Sequence, residues 1–257
     1  MKAFPKDIEV PELKERHIGV ESELGIKDSY YRKLPWGLVT KLNKTGILYH
    51  QIGYDGGGRE FRTVPISVKS LFNQAIGRKR LESYYTELSL HTEVLTTGGT
   101  HVHISILDSD HENLEANAIS LATAFYEQFQ KVSGRKSGWA SQLNIRTLNE
   151  AKDFLSAHKS NGIKRVHYCR GSILAPTGHK TLEFRGPKGS NDGKEVLAWV
   201  DFVNCVVDVA NRESVQGVRF GDLLNGKYIS EYVKNLDGWR KLTAKDLNKK
   251  LNYAKLA

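Results

Sequence analysis

The chain has 257 residues, 39% of them hydrophobic and 26% charged, so it can bury a core and is not a disordered protein. A formal charge of +9 favours a polyanionic partner, which includes nucleotide phosphates, nucleic acid and acidic proteins. The sequence contains no run of about 18 apolar residues, so we expect no membrane span. Two cysteines, Cys169 and Cys205, do not make a disulfide framework, and we expect buried thiols in a reducing, cytoplasmic compartment.

The first predicted strand covers residues 13–25 and carries two carboxylates. Apolar residues alternate along it, and Glu21 and Glu23 are two positions apart, so both point to the same face. Carboxylates this close stay ionised together only near cations or water. The stretch therefore predicts either a platform for a divalent metal or a sheet edge that faces solvent.

The rest of the pattern alternates strands, turns and helices. The predicted strands cover 46–52, 59–64, 100–106, 166–169 and 180–185, with a glycine-rich turn at 53–58 and a loop or short elements at 26–46. The predicted helices cover 67–88, 111–133, 147–158 and 193–211, with short helices over 219–255. Because no repeat or linker interrupts the pattern, we expect one domain over 1–257, with a basic helical C-terminal part from about 212.

Four of these strands share one sequence pattern. In each, two polar residues two positions apart point to one face of the strand, and the residue between them points to the other face. The pairs are Glu21/Glu23, Glu60/Arg62, His101/His103 and Glu183/Arg185. This predicts an α+β fold with an antiparallel sheet, one face packed on helices and the other lining a polar cavity. The alternative is four ordinary amphipathic strands whose outer faces are wet.

The residue types on the polar face suit one kind of chemistry. Carboxylates with an imidazole suit Mg²⁺ or Mn²⁺, and arginines on the same face suit phosphate oxygens. Metal, arginine and phosphate together indicate phosphoryl transfer.

The motifs also resemble a known family, the amidoligases of the glutamine synthetase and glutamate–cysteine ligase superfamily, which are ATP-dependent carboxylate–amine ligases. The resemblance lies in four motifs that occur in the family's order. They are Gly19-Val20-Glu21-Ser22-Glu23, Asp55-Gly56-Gly57 with Glu60-x-Arg62-Thr63-x-Pro65, Gly99-Thr100-His101-Val102-His103-Ile104-Ser105, and Leu182-Glu183-Phe184-Arg185-Gly186-Pro187.

The resemblance implies a curved, glutamine synthetase-like antiparallel sheet that holds ATP and Mg²⁺ or Mn²⁺. It implies metal ligation in two groups, Glu23 with Glu60, and Glu21 with His101 and Glu183. Contacts to the nucleotide phosphates would come from His103 and Arg185, and also from Arg62, Arg165 and Arg170. The candidate catalytic residues are Glu60, Arg62 and Arg185.

The implied activity joins a carboxylate substrate to an amine substrate through an acyl phosphate, and either substrate can be a small molecule, a peptide or a protein. One rival reading is a cupin-like or hydrolytic metal site on His101 and His103, with His179 as the third ligand. The other is a basic nucleic-acid-binding module, which explains the charge but leaves the carboxylate cluster unexplained. We expect no membrane partner. We also expect that neutralising Glu21, Glu23 or Glu183 relieves repulsion and leaves the melting temperature unchanged or higher.

Overall fold

The computed structural model describes residues 15–27, 36–48, 53–55, 58–106, 113–134, 145–159, 173–176, 181–232 and 241–252. The strands are β1 His17–Ile26, β2 Gly53–Asp55, β3 Gly58–Arg62, β4 Ile66–Ser67, β5 Thr92–Val94, β6 Thr100–Ser105, β7 Leu174–Pro176 and β8 Thr181–Phe184. The α-helices are α1 Trp36–Lys44, α2 Val68–Phe72, α3 Ile76–His91, α4 Leu114–Ala124, α5 Tyr126–Ser133, α6 Leu148–Lys159, α7 Gly193–Ala210, α8 Lys227–Tyr232 and α9 Ala244–Leu247.

The predicted α+β fold class is confirmed, because the strands form one open antiparallel sheet backed by helices. Six strands follow the order β2-β3-β1-β6-β8-β7, and β4 and β5 each pair with β1. No helix within the described ranges has the length and apolar character needed to cross a membrane.

Strand β1 lies at the centre of the sheet and separates its two faces. Its even-numbered residues from Ile18 to Leu24 are buried, whereas Glu21 and Glu23 are only partly covered. The register places Glu21 between Arg62 of β3 and His101 of β6, and it places Glu23 beside Glu60. The alternation of a strand thus sends the carboxylates to one face and the apolar residues to the helices.

The helical side of the sheet is the core. Helix α7 packs against β6 and against α3 and α4. Phe184, which lies between Glu183 and Arg185, makes edge-to-face contacts with Phe129 and Phe202 at ring-centroid distances of 5.6 Å. Such pairs add stability beyond the apolar area that they bury. Phe184 therefore packs in the core while its neighbours Glu183 and Arg185 lie on the polar face.

Two helices predicted as continuous are each divided. Helix 67–88 is α2, whose first turn is capped by the Ser67 hydroxyl, followed by α3. The break lies at Ala75, the one described residue other than glycine with positive φ, 58°. The helix predicted at 111–133 is α4 and α5, which meet at Phe125. Apolar periodicity continued through both breaks, so it did not reveal them.

Other predictions need correction or fall outside the described residues. The predicted strand 46–52 is represented by a single bridge from Leu48 to Thr63, and 49–52 and 166–169 lie outside the described ranges. Four short strands, β2, β4, β5 and β7, and helix α1 were not predicted as such. Cys205 is only half-buried, although burial, with the charges of Asp201 and Asp208, raises its thiol pKa to about 12. Cys169 is not among the described residues.

The basic C-terminal part packs onto the rest of the fold through backbone and side-chain contacts. The buried carboxylate of Asp201 on α7 accepts hydrogen bonds from the N–H groups of Tyr228 and Ile229 at 2.8 and 3.0 Å, which caps the start of α8. Further along, Lys131 Nζ of α5 donates to Asp246 Oδ1 at 2.7 Å, and within the C-terminal part Leu251 N–H donates to the Val218 carbonyl at 2.8 Å. A 3-10 helix, Phe220–Leu224, places Phe220 against the rings of Phe125 and Phe129.

Candidate active site

The open face of the sheet gathers side chains from four strand motifs that are far apart in sequence. The members on or next to β1, β3, β6 and β8 are Glu21, Glu23, Glu60, Arg62, His101, His103, Glu183 and Arg185. All eight were predicted to share a face, and the structure places them in one cluster of contacts.

Arg62 connects two strands of this cluster. Its Nε donates a hydrogen bond to Glu21 Oε2 at 3.0 Å, and an Nη2 N–H donates to Glu60 Oε2. Arg185 makes the corresponding ion pair with Glu183, two residues away on the same face. Three of the four carboxylates are therefore held by guanidinium groups as the structure stands.

His101 lies at the centre of the carboxylates. Its Nδ1 is 3.3 Å from Glu21 Oε1 and 3.4 Å from Glu183 Oε1, and its Nε2 is 3.7 Å from Glu23 Oε1. The side chain is only 1% exposed. An imidazole with both nitrogens facing acidic oxygens can donate to them or share a cation with them.

His103 lies one pleat further along β6 and is more open, with 30% of its side chain exposed. Its Nε2 is 3.9 Å from Glu21 and 3.8 Å from Glu183. The two histidines thus occupy different environments, one enclosed by carboxylates and one at the open side of the cluster.

The pKa shifts follow from this arrangement. Burial alone would raise the pKa of Glu21, but hydrogen bonds with His101 and Glu60, and the charges that both imidazoles carry in acid, hold it below its ordinary value. For His103, burial lowers the pKa and outweighs the opposite effect of Glu183 and Glu21. The face therefore keeps Glu21 ionised and His103 neutral at pH 7.

A glycine turn that we did not predict as part of the site fixes Glu23. Gly99 N–H donates to Glu23 Oε2 at 2.6 Å, and Glu23 N–H donates to the Gly99 carbonyl at 2.9 Å. A Cβ added at Gly98 would lie 2.5 Å from the Glu23 carbonyl oxygen, and Gly189 N–H donates to the Gly98 carbonyl. The paired glycines directly before the His101 strand were the available sequence signal.

A second unpredicted contact supports β1 from behind. Ser22, between the two glutamates, is fully buried, and its hydroxyl lies 2.7 Å from the Tyr85 hydroxyl. Burial raises the pKa of Tyr85 well above its ordinary value, so this phenol stays protonated and can donate. The hydrogen bond ties β1 to α3 at the position that separates Glu21 from Glu23.

The donor set fits a hard divalent cation in its chemistry. Four carboxylates face two guanidinium groups, and the ring nitrogens of His101 lie among the carboxylates as further possible ligands. Carboxylate oxygens are the preferred ligands of Mg²⁺ and Mn²⁺. In the described part of the chain, however, no three His, Cys, Asp or Glu side chains are already spaced to hold a metal ion. The carboxylates would have to turn from their arginine partners to ligate one.

Some predicted residues cannot be placed. Arg165 and Arg170, expected near the nucleotide, lie outside the described residues, and so does His179, the third ligand of the cupin-like reading. The Gly56-Gly57 part of the second motif is also outside them.

The sequence matches no family model, and no curated protein is significantly similar to it. Among solved structures, one similar chain comes from the complex between the prokaryotic ubiquitin-like protein Pup and its ligase PafA. The similarity has a TM-score of 0.35 and 14% identity, and it covers 86% of this chain and 52% of that chain. The chain therefore spans about half the length of the matched structure.

Proposed function

We propose that this protein is an ATP-dependent carboxylate–amine ligase that forms an amide or isopeptide bond. The observation that carries the proposal is the convergence of four carboxylates, two imidazoles and two guanidinium groups on one sheet face. The alternative of four ordinary amphipathic strands with wet outer faces does not explain why acidic, basic and imidazole groups from four strands contact one another. The ordered sequence motifs, which resemble those of amidoligases, agree with this reading.

The residues that would hold Mg²⁺ or Mn²⁺ are Glu23 with Glu60, and Glu21 with His101 and Glu183. When bound, the cation would neutralise negative charge on the transferring phosphoryl group and its oxygens. Glu60 would thus take part in the chemistry through ligation.

The remaining side chains would bind and orient the substrates. Arg62 and Arg185 offer planar guanidinium groups, which suit phosphate oxygens. His103, neutral and partly exposed, can donate one hydrogen bond to a phosphate oxygen. ATP would phosphorylate the substrate carboxylate, and the amine would then attack the acyl phosphate and expel phosphate, so no protein nucleophile is needed.

The wider assignment follows from the same reading. We propose a single catalytic domain over 1–257, with the basic part after about 212 as an integral layer, working in the cytoplasm on a carboxylate and an amine. We do not favour the alternative that the protein is a nucleic-acid-binding module, because the carboxylate cluster would repel a phosphate backbone.

Calorimetric titration with ATP tests the proposal directly. We expect binding in the presence of Mg²⁺ or Mn²⁺ and loss of binding in excess chelator, with ADP and phosphate released when a suitable amine and carboxylate are both supplied. Glu183→Gln should abolish turnover in a protein that remains folded. Equal ATP affinity with and without chelator would contradict the metal-dependent reading.

A further inference from the structure

We infer that Arg62 competes with a divalent cation for Glu21 and Glu60, and that nucleotide binding relieves this competition by giving the guanidinium a phosphate partner. Cation and nucleotide would therefore bind cooperatively, with Arg62 as the coupling residue. The inference rests on the proposed function and concerns how the same site is regulated.

The contacts of Arg62 show what a cation would have to displace. The guanidinium binds one Oε2 on β1, from Glu21, and one Oε2 on β3, from Glu60. In the proposed ligand sets, Glu21 and Glu60 belong to different groups. One side chain thus occupies oxygens needed by both groups.

Competition follows from the nature of these bonds. Each is a charge-assisted hydrogen bond to a carboxylate that is mostly covered, since the Glu21 and Glu60 side chains are 15% and 11% exposed. Hydrogen bonds to charged groups are stronger than those between neutral groups. A cation that takes the same oxygens must break these hydrogen bonds and must also approach the positive charge of the guanidinium.

Arg62 is the arginine better placed to move. Its side chain is 31% exposed, whereas that of Arg185 is 13% exposed. Both arginines contact the carboxylate two residues before them, Glu60 and Glu183, and Arg62 also reaches across to Glu21 of β1. The guanidinium has five N–H donors in a planar fork, and a phosphate at the open side offers acceptors equivalent to the carboxylates that it would leave.

Linkage then requires the effect to be reciprocal. If nucleotide draws Arg62 from Glu21 and Glu60, the cation binds more tightly with nucleotide present, and the nucleotide binds more tightly with cation present by the same factor. Removing the guanidinium should raise the affinity for cation alone and reduce this factor.

The test is a Mn²⁺ titration of the full chain, in which electron paramagnetic resonance measures free Mn²⁺ with and without a non-hydrolysable ATP analogue. We expect Arg62→Met to bind Mn²⁺ alone about tenfold more tightly than the wild type, or more, because at least one charge-assisted hydrogen bond no longer opposes the cation. We expect the analogue to tighten Mn²⁺ binding strongly in the wild type and much less in the variant.

Two further variants separate competition from a general change in charge. Arg62→Lys keeps the positive charge but cannot bridge two carboxylates in the same way, so its Mn²⁺ affinity should lie between those of the wild type and Arg62→Met. It also decides the question if Arg62→Met does not fold. Arg59→Met removes one positive charge from the opposite face of β3 and should bind Mn²⁺ like the wild type.

The outcomes distinguish the inference from the proposed function. If Glu21→Gln abolishes Mn²⁺ binding but neither Arg62 variant binds Mn²⁺ more tightly than the wild type, the metal site stands and the competition is wrong. If Glu21→Gln and Glu183→Gln bind Mn²⁺ like the wild type, or the wild type binds none even with the analogue, the proposed function fails and the inference fails with it.

Discussion

Glu21 receives more contacts from the polar face than its position on an alternating strand suggests. It accepts a hydrogen bond from Arg62 and lies within 3.9 Å of both His101 and His103. Its lowered pKa means that the fold favours the ionised form. The expectation that neutralising Glu21 relieves repulsion assumed unpaired carboxylates, whereas the structure pairs this one.

We therefore predict that Glu21→Gln destabilises the protein in the absence of ligands by about 2 kcal/mol, the scale of one hydrogen bond to a charged group. Thermal and urea unfolding at pH 7 would measure the change. A carboxylate with a lowered pKa in the fold contributes its full stability above its ordinary pKa and loses it as pH falls through the folded value, so the difference should shrink in acid. An unchanged or higher melting temperature of Glu21→Gln at pH 7 would contradict this prediction and would support the expectation that neutralising Glu21 relieves repulsion.

His101 and His103 should respond differently to the same substitution. His101 is enclosed by three carboxylates, so we predict that His101→Asn raises the Mn²⁺ concentration needed for half-maximal rate. His103 is partly exposed and assigned to a phosphate, so His103→Asn should mainly raise the KM for ATP or lower kcat at saturating metal. Steady-state assays at several Mn²⁺ concentrations separate the two effects, and wild-type turnover in both variants would remove this face as the active site.

At the scale of elements, the glycine turn before β6 determines where Glu23 lies. An alanine Cβ at position 98 would meet the Glu23 carbonyl oxygen at 2.5 Å, and that atom is backbone in the centre of the sheet. We predict that Gly98→Ala destabilises the fold by about 1–3 kcal/mol, the usual cost of overpacking, and weakens Mn²⁺ binding by shifting Glu23.

Gly37 provides the matched control. It is exposed in the first turn of α1, and a Cβ there has no neighbour within 4 Å. Gly37→Ala should therefore stabilise the protein by up to about 1 kcal/mol through helix propensity. Urea unfolding and Mn²⁺ titration would compare the two variants. Equal changes in stability and in Mn²⁺ affinity for Gly98→Ala and Gly37→Ala would contradict the steric explanation.

Another element-scale prediction concerns Asp246, which joins α9 to α5. Its carboxylate accepts from Lys131 Nζ at 2.7 Å, Gln128 Nε2 at 3.1 Å and Thr243 N at 2.9 Å. These contacts, led by the Lys131 hydrogen bond, lower the pKa of Asp246. We predict that Asp246→Asn destabilises by about 2 kcal/mol at pH 7.

The pH dependence of this variant has a definite sign. A carboxylate with a lowered pKa in the fold contributes stability above its ordinary pKa of about 4, and the contribution is lost as pH falls through the folded value. The gap between wild type and Asp246→Asn in urea should therefore close below pH 4. A gap that stayed constant down to pH 2 would mean that the charge of Asp246 is irrelevant.

Elements with strong periodicity could be predicted from the sequence, and elements defined by tertiary pairing could not. The β1 and β6 strands and helix α7 were recognised because their alternation or helical spacing is local. Strand β5 exists through its pairing with the end of β1, and the Ala75 break arises from a backbone conformation that alanine does not signal. The pairing of β5 with β1 is a contact between segments distant in sequence.

The same distinction applies to the site. Which residues share the face followed from period-two alternation, since Glu21 and Glu23 had to point together. The pairing of Arg62 with Glu21 across two strands depends on register, which alternation alone does not determine. Likewise, the support of Glu23 by Gly98 and Gly189 requires three backbone segments to meet.

At the scale of the whole molecule, the segment after residue 212 is hydrogen-bonded into the fold. Asp201 of α7 accepts from the N–H groups of Tyr228 and Ile229, and Lys131 of α5 donates to Asp246. Within the segment, the N–H groups of Gly217, Phe220 and Leu251 donate to carbonyls of Leu251, Lys249 and Val218. A basic appendage that only touched the surface would open independently.

We predict that these three amides share the opening free energy of the amides in β1. Native-state hydrogen exchange with mass spectrometry at increasing urea would show peptides covering 215–222 and 247–252 merging with the β1 peptide in one global transition. Early exchange of the C-terminal peptides, at a lower opening free energy than β1, would show instead that this part is a separate unit.

Along β1 from Ile18 to Leu24, residues that face the core alternate strictly with residues that face the polar side of the sheet. This alternation limits which insertions and deletions the coding sequence of β1 can accept. Losing one codon between those for Ile18 and Leu24 would invert every following position, so that the carboxylates entered the core and Leu24 lay on the polar face. Loss of two adjacent codons would keep the faces but shift the partners along β3 and β6. Substitutions in this stretch can be tolerated singly, whereas insertions and deletions of one residue should be absent from functional variants.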